Sequence, residues 1–215
     1  TRKGEPIAVK VQYPLTEKCF YSDLDNMSLS SRIVRFVFPQ LDLDWIVKKF
    51  TAEIAKELDF EQEARNSQQL AKYFQGKPTI KVPFVYSHLS SKRVLTMELI
   101  EGVKITDVAQ LKALGISPRK VVRSLYEIFG EMIFCHGFFH ADPHPGNIMV
   151  QKREGPVNFR IVLLDHGLYR RLSPQFRQDL CELWKSLIPF NEARLFQISN
   201  RLGIHSHYQY FLLFI

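Results

Sequence analysis

The stretch "FFHADPHPGNIMV" (138–150) decides how the rest of the chain is read. It sets His140, Asp142, His144 and Asn147 among two prolines and a glycine, between aromatic and aliphatic ends. Proline and glycine make a turn, and Ile148, Met149 and Val150 start a strand. Neither job needs four polar groups within eight positions. The loop therefore either carries chemistry or is a turn whose polar side chains only bond their own backbone.

Composition narrows the partners. A chain of 215 residues makes one large domain or two closely packed lobes. It is 46% hydrophobic with 17 phenylalanines, so a packed core is expected rather than disorder. The net charge of +7 permits nucleotides, nucleic acid or anionic lipid as partners. The basic residues are scattered in short pairs such as Lys48-Lys49 and Arg170-Arg171. No motif that reads bases or a nucleic-acid backbone is present, so no nucleic-acid partner is expected. Cys19, Cys135 and Cys181 are odd in number and outside any CxxC pattern. That argues against a disulfide framework or zinc site and fits a reducing compartment. No apolar run reaches the length of about eighteen residues that a membrane helix needs. The final "YQYFLLFI" (208–215) is read as a core helix or strand. The chain opens "TRKGEPIAVK" without Met, so it is read as cut or incomplete, with any targeting peptide outside it.

Outward from the loop, "PIAVKVQYP" (6–14) is a β-rich run. Residues 15–42 are mixed, with an amphipathic patch at Ile33, Phe36 and Val37 that predicts a short helix before Pro39. From Asp44, Ile46, Phe50, Ile54 and Leu58 recur at helical spacing, and the pattern runs to Gly76 with a break near Phe60. "IKVPFVY" (80–86) and "RVLTMELI" (93–100) read as two strands joined by a polar turn. Ser117-Pro118 starts a helix with Val122, Leu125, Ile128, Phe129, Met132 and Ile133 on one wide face, stopping at Gly137. "FRIVLLDHG" (159–167) is a strand and turn, and Ser173-Pro174 opens another helix. A β-rich first part and a helical second part predict an α+β protein of two lobes with a cleft.

The chemistry gathers around Lys10 and the loop. Lys10 stands inside "IAVKV", where a buried ammonium would need a carboxylate or phosphate partner. Alternatively it points to solvent from an edge strand. Glu57, Asp59, Glu61 and Glu63 are candidate partners, or an ordinary charged helix face. Asp142 and Asn147 are five apart, the spacing of the kinase pattern HRDxxxxN, with His140 in the His place. Such a loop lets a carboxylate meet an acceptor hydroxyl while the Asn amide oxygen turns toward a metal. Asp165 follows an apolar strand and precedes Gly167, so it can reach a divalent ion on the phosphates.

Together "IAVKVQYP", "ELDFEQEARN", "VLTMELIEG", "FFHADPHPGNIMV" and "IVLLDHGLYR" resemble the ABC1/UbiB/ADCK family of atypical protein-kinase-like proteins, from Lys10 to about Leu172. The resemblance implies a two-lobed kinase-like fold. Residues 1–100 would be a partial N-lobe with a long inserted helical segment, and residues 101–215 a mainly helical, truncated C-lobe. It implies ATP with Mg2+ or Mn2+ as cofactors. Lys10 would lie on the phosphates with Glu63 as its helix partner. Asp142 would be the catalytic aspartate, Asn147 and Asp165 the metal ligands, and Met97, Glu98 and Leu99 the hinge beside the adenine. Glu57 and Asp59 match the family's ExD motif, His140 braces the loop, and Gly167 lets the backbone turn. The implied role is an atypical kinase or ATPase supporting coenzyme Q or other isoprenoid-lipid metabolism in mitochondria or plastids. Isoprenoid lipid, a membrane surface or lipid-biosynthesis proteins would be its partners. Small-molecule phosphotransferases of the aminoglycoside or choline kinase type share the HxDxxxxN loop, and a non-catalytic nucleotide-binding scaffold is a third alternative.

The departures are informative. The chain begins after the place of the family's KxGQ motif and alanine-rich nucleotide loop, so its ExD residues are expected to lack their partner. His144 stands where ordinary protein kinases place a lysine, and Ala141 where an arginine receives an activation-loop phosphate. "LYRRLSPQF" reaches a helix start almost at once, so control by activation-loop phosphorylation is not expected.

Overall fold

The computed structural model describes residues 4, 6–38, 40–41, 43, 45–49, 51 and 58–204. They divide into two compact units, 1–124 with 141–169, and 125–140 with 170–215. The fold is α+β.

In the first unit, β1 (Ile7–Val11) pairs antiparallel with β3 (Val94–Glu98), setting Ala8 opposite Met97 and Lys10 opposite Leu95. A second sheet has the order β2 (Ile80–Lys81), β7 (Phe159–Leu163), β6 (Ile148–Lys152), β4 (Val103–Lys104). Only the β2–β7 pair is parallel. Ile161, Val162 and Leu163 are all buried, which requires cover on both faces and explains a continuous apolar run where alternation would mark a half-wet strand.

The expected strand over 80–86 is split. Ile80–Lys81 belongs to the second sheet, while Val85 makes a single bridge to Met97. Pro83 stands between them without an N–H to donate, so one ladder cannot run through.

Helix α1 is far longer than expected, Thr16–Val37. Its inward residues are Glu17, Phe20, Leu24, Ser28, Ser31 and Val34, spaced three and four apart, but two of them are serines. Polar residues on the inner face hid the period. Ile33, Phe36 and Val37, the amphipathic patch that predicts a helix before Pro39, lie in the last turns of α1 and are exposed. Residues 45–49 are helical, as the Ile46 periodicity predicts. Phe50, Ile54 and Glu57 lie outside the described residues, as does "YQYFLLFI".

Helix α2 (Phe60–Tyr73) starts where the break was expected. Asp59 is its N-cap, accepting from the N–H groups of Glu61 (3.0 Å) and Gln62 (3.2 Å). Phe60 and Ala64 pack with Val85 and Leu95, with Met97 against them, and fix the helix on β3. A short helix α3 (Val108–Ala113) follows β4, capped by Asp107.

Helix α4 (Pro118–Gly130) carries the chain from the first unit into the second. It buries Val121, Ser124 and Ile128, while Val122, expected inside, is exposed. It continues as π-helix over Glu131–His136 and stops at Gly137, whose φ of 59° is the left-handed cap that a glycine adopts without strain. The second unit continues with β5 (Phe138–His140), which pairs with β8 (Tyr169–Arg171). Helix α5 (Pro174–Leu187) is capped by Ser173 as the sequence predicts. Leu183 packs there with Leu195 and Ile198 of helix α6 (Glu192–Arg201).

Candidate active site

The first unit builds the site from β1, α2, β3 and the two loops that flank β6 and β7. Along β1, Val9 and Val11 are exposed while Ala8 and Lys10 share the opposite, half-buried face. Lys10 Nζ lies 2.9 Å from Glu63 and 3.4 Å from Asp165, and 5.0 Å from the centre of the Phe60 ring. The charge points inward because α2 brings a carboxylate to it across 53 residues of chain. Glu63 is 1% exposed and also accepts the His166 N–H at 3.4 Å.

Burial acts to lower the Lys10 pKa, but Glu63 and then Asp165 outweigh it and hold the ammonium above its ordinary value. Burial pushes the Glu63 carboxyl up, with Lys10 pulling the other way and Asp165 adding to the rise. The two directions agree physically. One cation is shared by two carboxylates, so it is overcommitted, while the fully buried acid is undercompensated.

These residues open onto a cavity of about 330 Å³. Ala8, Lys10, Met97, Glu98, Leu99, Ile100, Asn147, Met149, Leu164 and Asp165 line it. Its mainly apolar walls and convergent polar end suit an aromatic ring with a charged tail. The loops after β5 and β7 are tied to each other. Leu164 N–H donates to the Asn147 carbonyl (2.9 Å), and Ala141 N–H to that of Leu168 (3.0 Å). Asp165 Oδ1 accepts the Gly167 N–H at 2.9 Å, fixing the carboxylate beside Lys10.

Among the described residues no group of three His, Cys, Asp or Glu could hold a metal ion. The donors present, the Asp165 carboxylate and the Asn147 amide, fit a cation such as Mg2+ or Mn2+ that fills its sphere with waters and phosphate oxygens.

The remaining candidates take other places. Asp142 and His144 are exposed and do not line the cavity. His144 Nδ1 accepts the Gly146 N–H at 3.1 Å, so the imidazole caps its own turn and leaves Nε2 as its donor edge. A Cβ on Gly146 would come within 2.9 Å of that nitrogen, which is why glycine stands there. His140 ends β5 and is buried in the second unit. Asp59 serves as the α2 cap, with Arg65 at 3.7 Å, and Glu57 lies outside the described residues. Three residues absent from the sequence candidates belong to the site's support: Asn66, the His166 ring and Tyr169. Asn66 sat unremarked inside "ELDFEQEARN", a polar position on the helix face that carries Phe60, Glu63, Ala64 and Leu70.

A family model described as the ABC1 atypical kinase-like domain matches residues 1–199. The chain belongs to this family. The AarF domain-containing protein kinase 1 of Gallus gallus is 38% identical to this ABC1 domain over 97% of the chain. The probable serine/threonine-protein kinase abkD of Dictyostelium discoideum is 37% identical over 96%. The chain spans 40% and 30% of the length of these two relatives. Among solved structures, Rv3197 of Mycobacterium tuberculosis, in complex with erythromycin, superposes with a TM-score of 0.70 at 25% identity, covering 93% of this chain and 49% of that one. The ABC1 fold is kinase-like, and both of these relatives are named as protein kinases.

On the rim of the ABC1 cavity, Glu98 pairs with Lys81 (2.7 Å) and accepts the Phe84 N–H (3.1 Å). Burial raises its carboxyl pKa, but Lys81 and the Phe84 N–H outweigh that and hold it below the ordinary value. The stability it contributes is complete above about 4.5 and is lost as pH falls through its lower folded pKa. Carboxyl NMR titration is expected to show Glu98 still ionised where free glutamate protonates. Lys81→Met is expected to return it toward the ordinary range and bring the acid loss to higher pH.

Proposed function

We propose that this chain binds a nucleoside triphosphate with a divalent metal ion and acts as an atypical kinase or ATPase. The observation that carries the reading is Lys10, bridged between buried Glu63 and Asp165 on the wall of the 330 Å³ cavity. An ammonium poised between two carboxylates at one end of an apolar slot is ready to exchange a carboxylate for a phosphate oxygen. Lys10 would donate to the phosphates, and Met97, Glu98 and Leu99 would lie along the base. Asn147 and Asp165 would hold the metal ion, which when bound neutralises charge on the phosphate oxygens. Asp142 would orient the attacking hydroxyl and accept its proton. The proposal includes the family's link to coenzyme Q or other isoprenoid-lipid metabolism in mitochondria or plastids, with lipid or lipid-biosynthesis proteins as partners. A nucleotide-gated scaffold is the second reading, favoured by the position of Asp142 outside the cavity.

Thermal unfolding tests the first claim. ATP with Mg2+ or Mn2+ at a hundredfold over its dissociation constant is expected to stabilise the chain by about 2.7 kcal/mol. Asp165→Asn is expected to remove the metal-dependent part of that shift. A wild-type chain that gains no stability from ATP and metal together overturns the reading.

A further inference from the structure

Helix α2 buries two polar side chains three residues apart, Glu63 at 1% and Asn66 at 7% exposure, and both reach the turn after β7. Glu63 accepts the His166 N–H, and Asn66 Nδ2 donates to the His166 carbonyl at 2.9 Å. Both backbone groups of the residue between Asp165 and Gly167 are therefore held by one helix face. Neither contact can slip without leaving a buried polar group unsatisfied.

Chemistry at both ends fixes which way the Asn66 amide faces. Arg65 Nε can only donate, so Gln62 Oε1 accepts it at 3.1 Å. Gln62 Nε2 then donates to Asn66 Oδ1 at 2.9 Å, leaving Asn66 Nδ2 for a carbonyl that can only accept. Every donor in the chain Arg65, Gln62, Asn66, His166 points the same way, an arrangement in which each bond polarises the next. The His166 ring is pinned as well. Its Nε2–H donates to the Leu163 carbonyl at 3.0 Å, and its Nδ1 accepts the Tyr169 O–H at 3.0 Å.

We infer that Asn66 is a positioning residue for metal binding at Asp165. Its amide, oriented by Gln62, fixes the peptide after Asp165 and makes helix α2 and the metal-bearing turn one unit. A shift of α2 then moves the Asp165 carboxylate with Glu63 rather than leaving it behind. The consequence for metal rests on the proposed function, whereas the clamp on the turn does not.

Two variants and two readouts separate these parts. In Asn66→Asp a carboxylate replaces the donor and faces a carbonyl. In Gln62→Glu, on the less buried side of the relay, Arg65 keeps an acceptor but Asn66 loses its donor. Amide hydrogen exchange at residues 164–168 is expected to speed up about tenfold in Asn66→Asp and less in Gln62→Glu, with residues 174–187 of α5 as an unchanged internal reference. Binding of a fluorescent ATP analogue without metal is expected to match wild type, while the tightening by Mg2+ falls about 10- to 100-fold. Unchanged exchange at 164–168 overturns the inference. Equal loss of metal-free and metal-dependent binding, with faster exchange throughout the chain, also overturns it, because Asn66 would then serve only folding. If the wild type binds no nucleotide, the functional reading falls, and the exchange data alone uphold or overturn the clamp.

Discussion

Asp142→Asn is expected to slow ATP turnover by about 10²- to 10⁴-fold, the usual effect of removing a positioned general base. Nucleotide affinity is expected to stay within about twofold, because an interaction made only in the transition state lowers kcat without raising KM. The structural ground is the position of the residue. Asp142 stands on an exposed loop outside the cavity, tied at its base by the Ala141–Leu168 and Asn147–Leu164 backbone bonds. Its loss therefore leaves the cavity walls and the Lys10 cluster intact. Single-turnover assays alongside equilibrium binding measure both quantities. Turnover that survives unchanged in Asp142→Asn would show that catalysis does not run through that residue.

Lys10→Met is expected to destabilise the chain by about 2 kcal/mol near neutral pH and to abolish metal-dependent nucleotide binding. Removing one partner of a fully buried pair costs about 3–5 kcal/mol. Here the lysine side chain is 39% exposed while Glu63 is 1% exposed, so solvent already screens part of the attraction and the cost is smaller. The sign of the pH dependence follows from Glu63. Its folded pKa is already raised by burial, and removing Lys10 raises it further. A raised carboxyl contributes stability below its unfolded value and loses it as pH rises through the folded one. The defect of Lys10→Met should therefore be small in mild acid and grow toward neutral pH. Adding Glu63→Gln removes the stranded charge yet keeps an oxygen for the His166 N–H, so the double variant is expected to recover stability at neutral pH. Denaturant titrations of the wild type, both single variants and the double variant form the cycle that measures this coupling. If the double variant is as unstable at neutral pH as Lys10→Met alone, the stranded-charge account fails.

The candidate residues could be picked out because they sit in local patterns. The spacing of Asp142 and Asn147 and the position of Asp165 after an apolar strand need only a few residues to read. Lys10 in an apolar strand was a question with two answers, and only the approach of α2 across 53 residues decided it. Asn66 was hidden for the same reason. A polar residue on a helix face looks like a solvated one until the backbone it bonds, 100 residues away, is in place. Helix α1 failed in the opposite sense, since Ser28 and Ser31 face inward with Leu24 while Ile33, Phe36 and Val37 are exposed, so the apolar patch did not mark the inner face.

By itself the sequence determined the kinase-like family, the α+β class, and the helix stop at Gly137 and cap at Ser173. Those depend on residues adjacent in the chain, where backbone geometry and short-range hydrogen bonds leave few alternatives. Tertiary structure decided that Lys10 turns inward, that Pro83 parts one apolar run between two sheets, and that His144 caps its own loop. It also decided that Asn66 grips the turn behind Asp165. The Lys10 and Asn66 outcomes rest on burying a charged or polar group, and whether that group finds a partner depends on which distant segment folds against it.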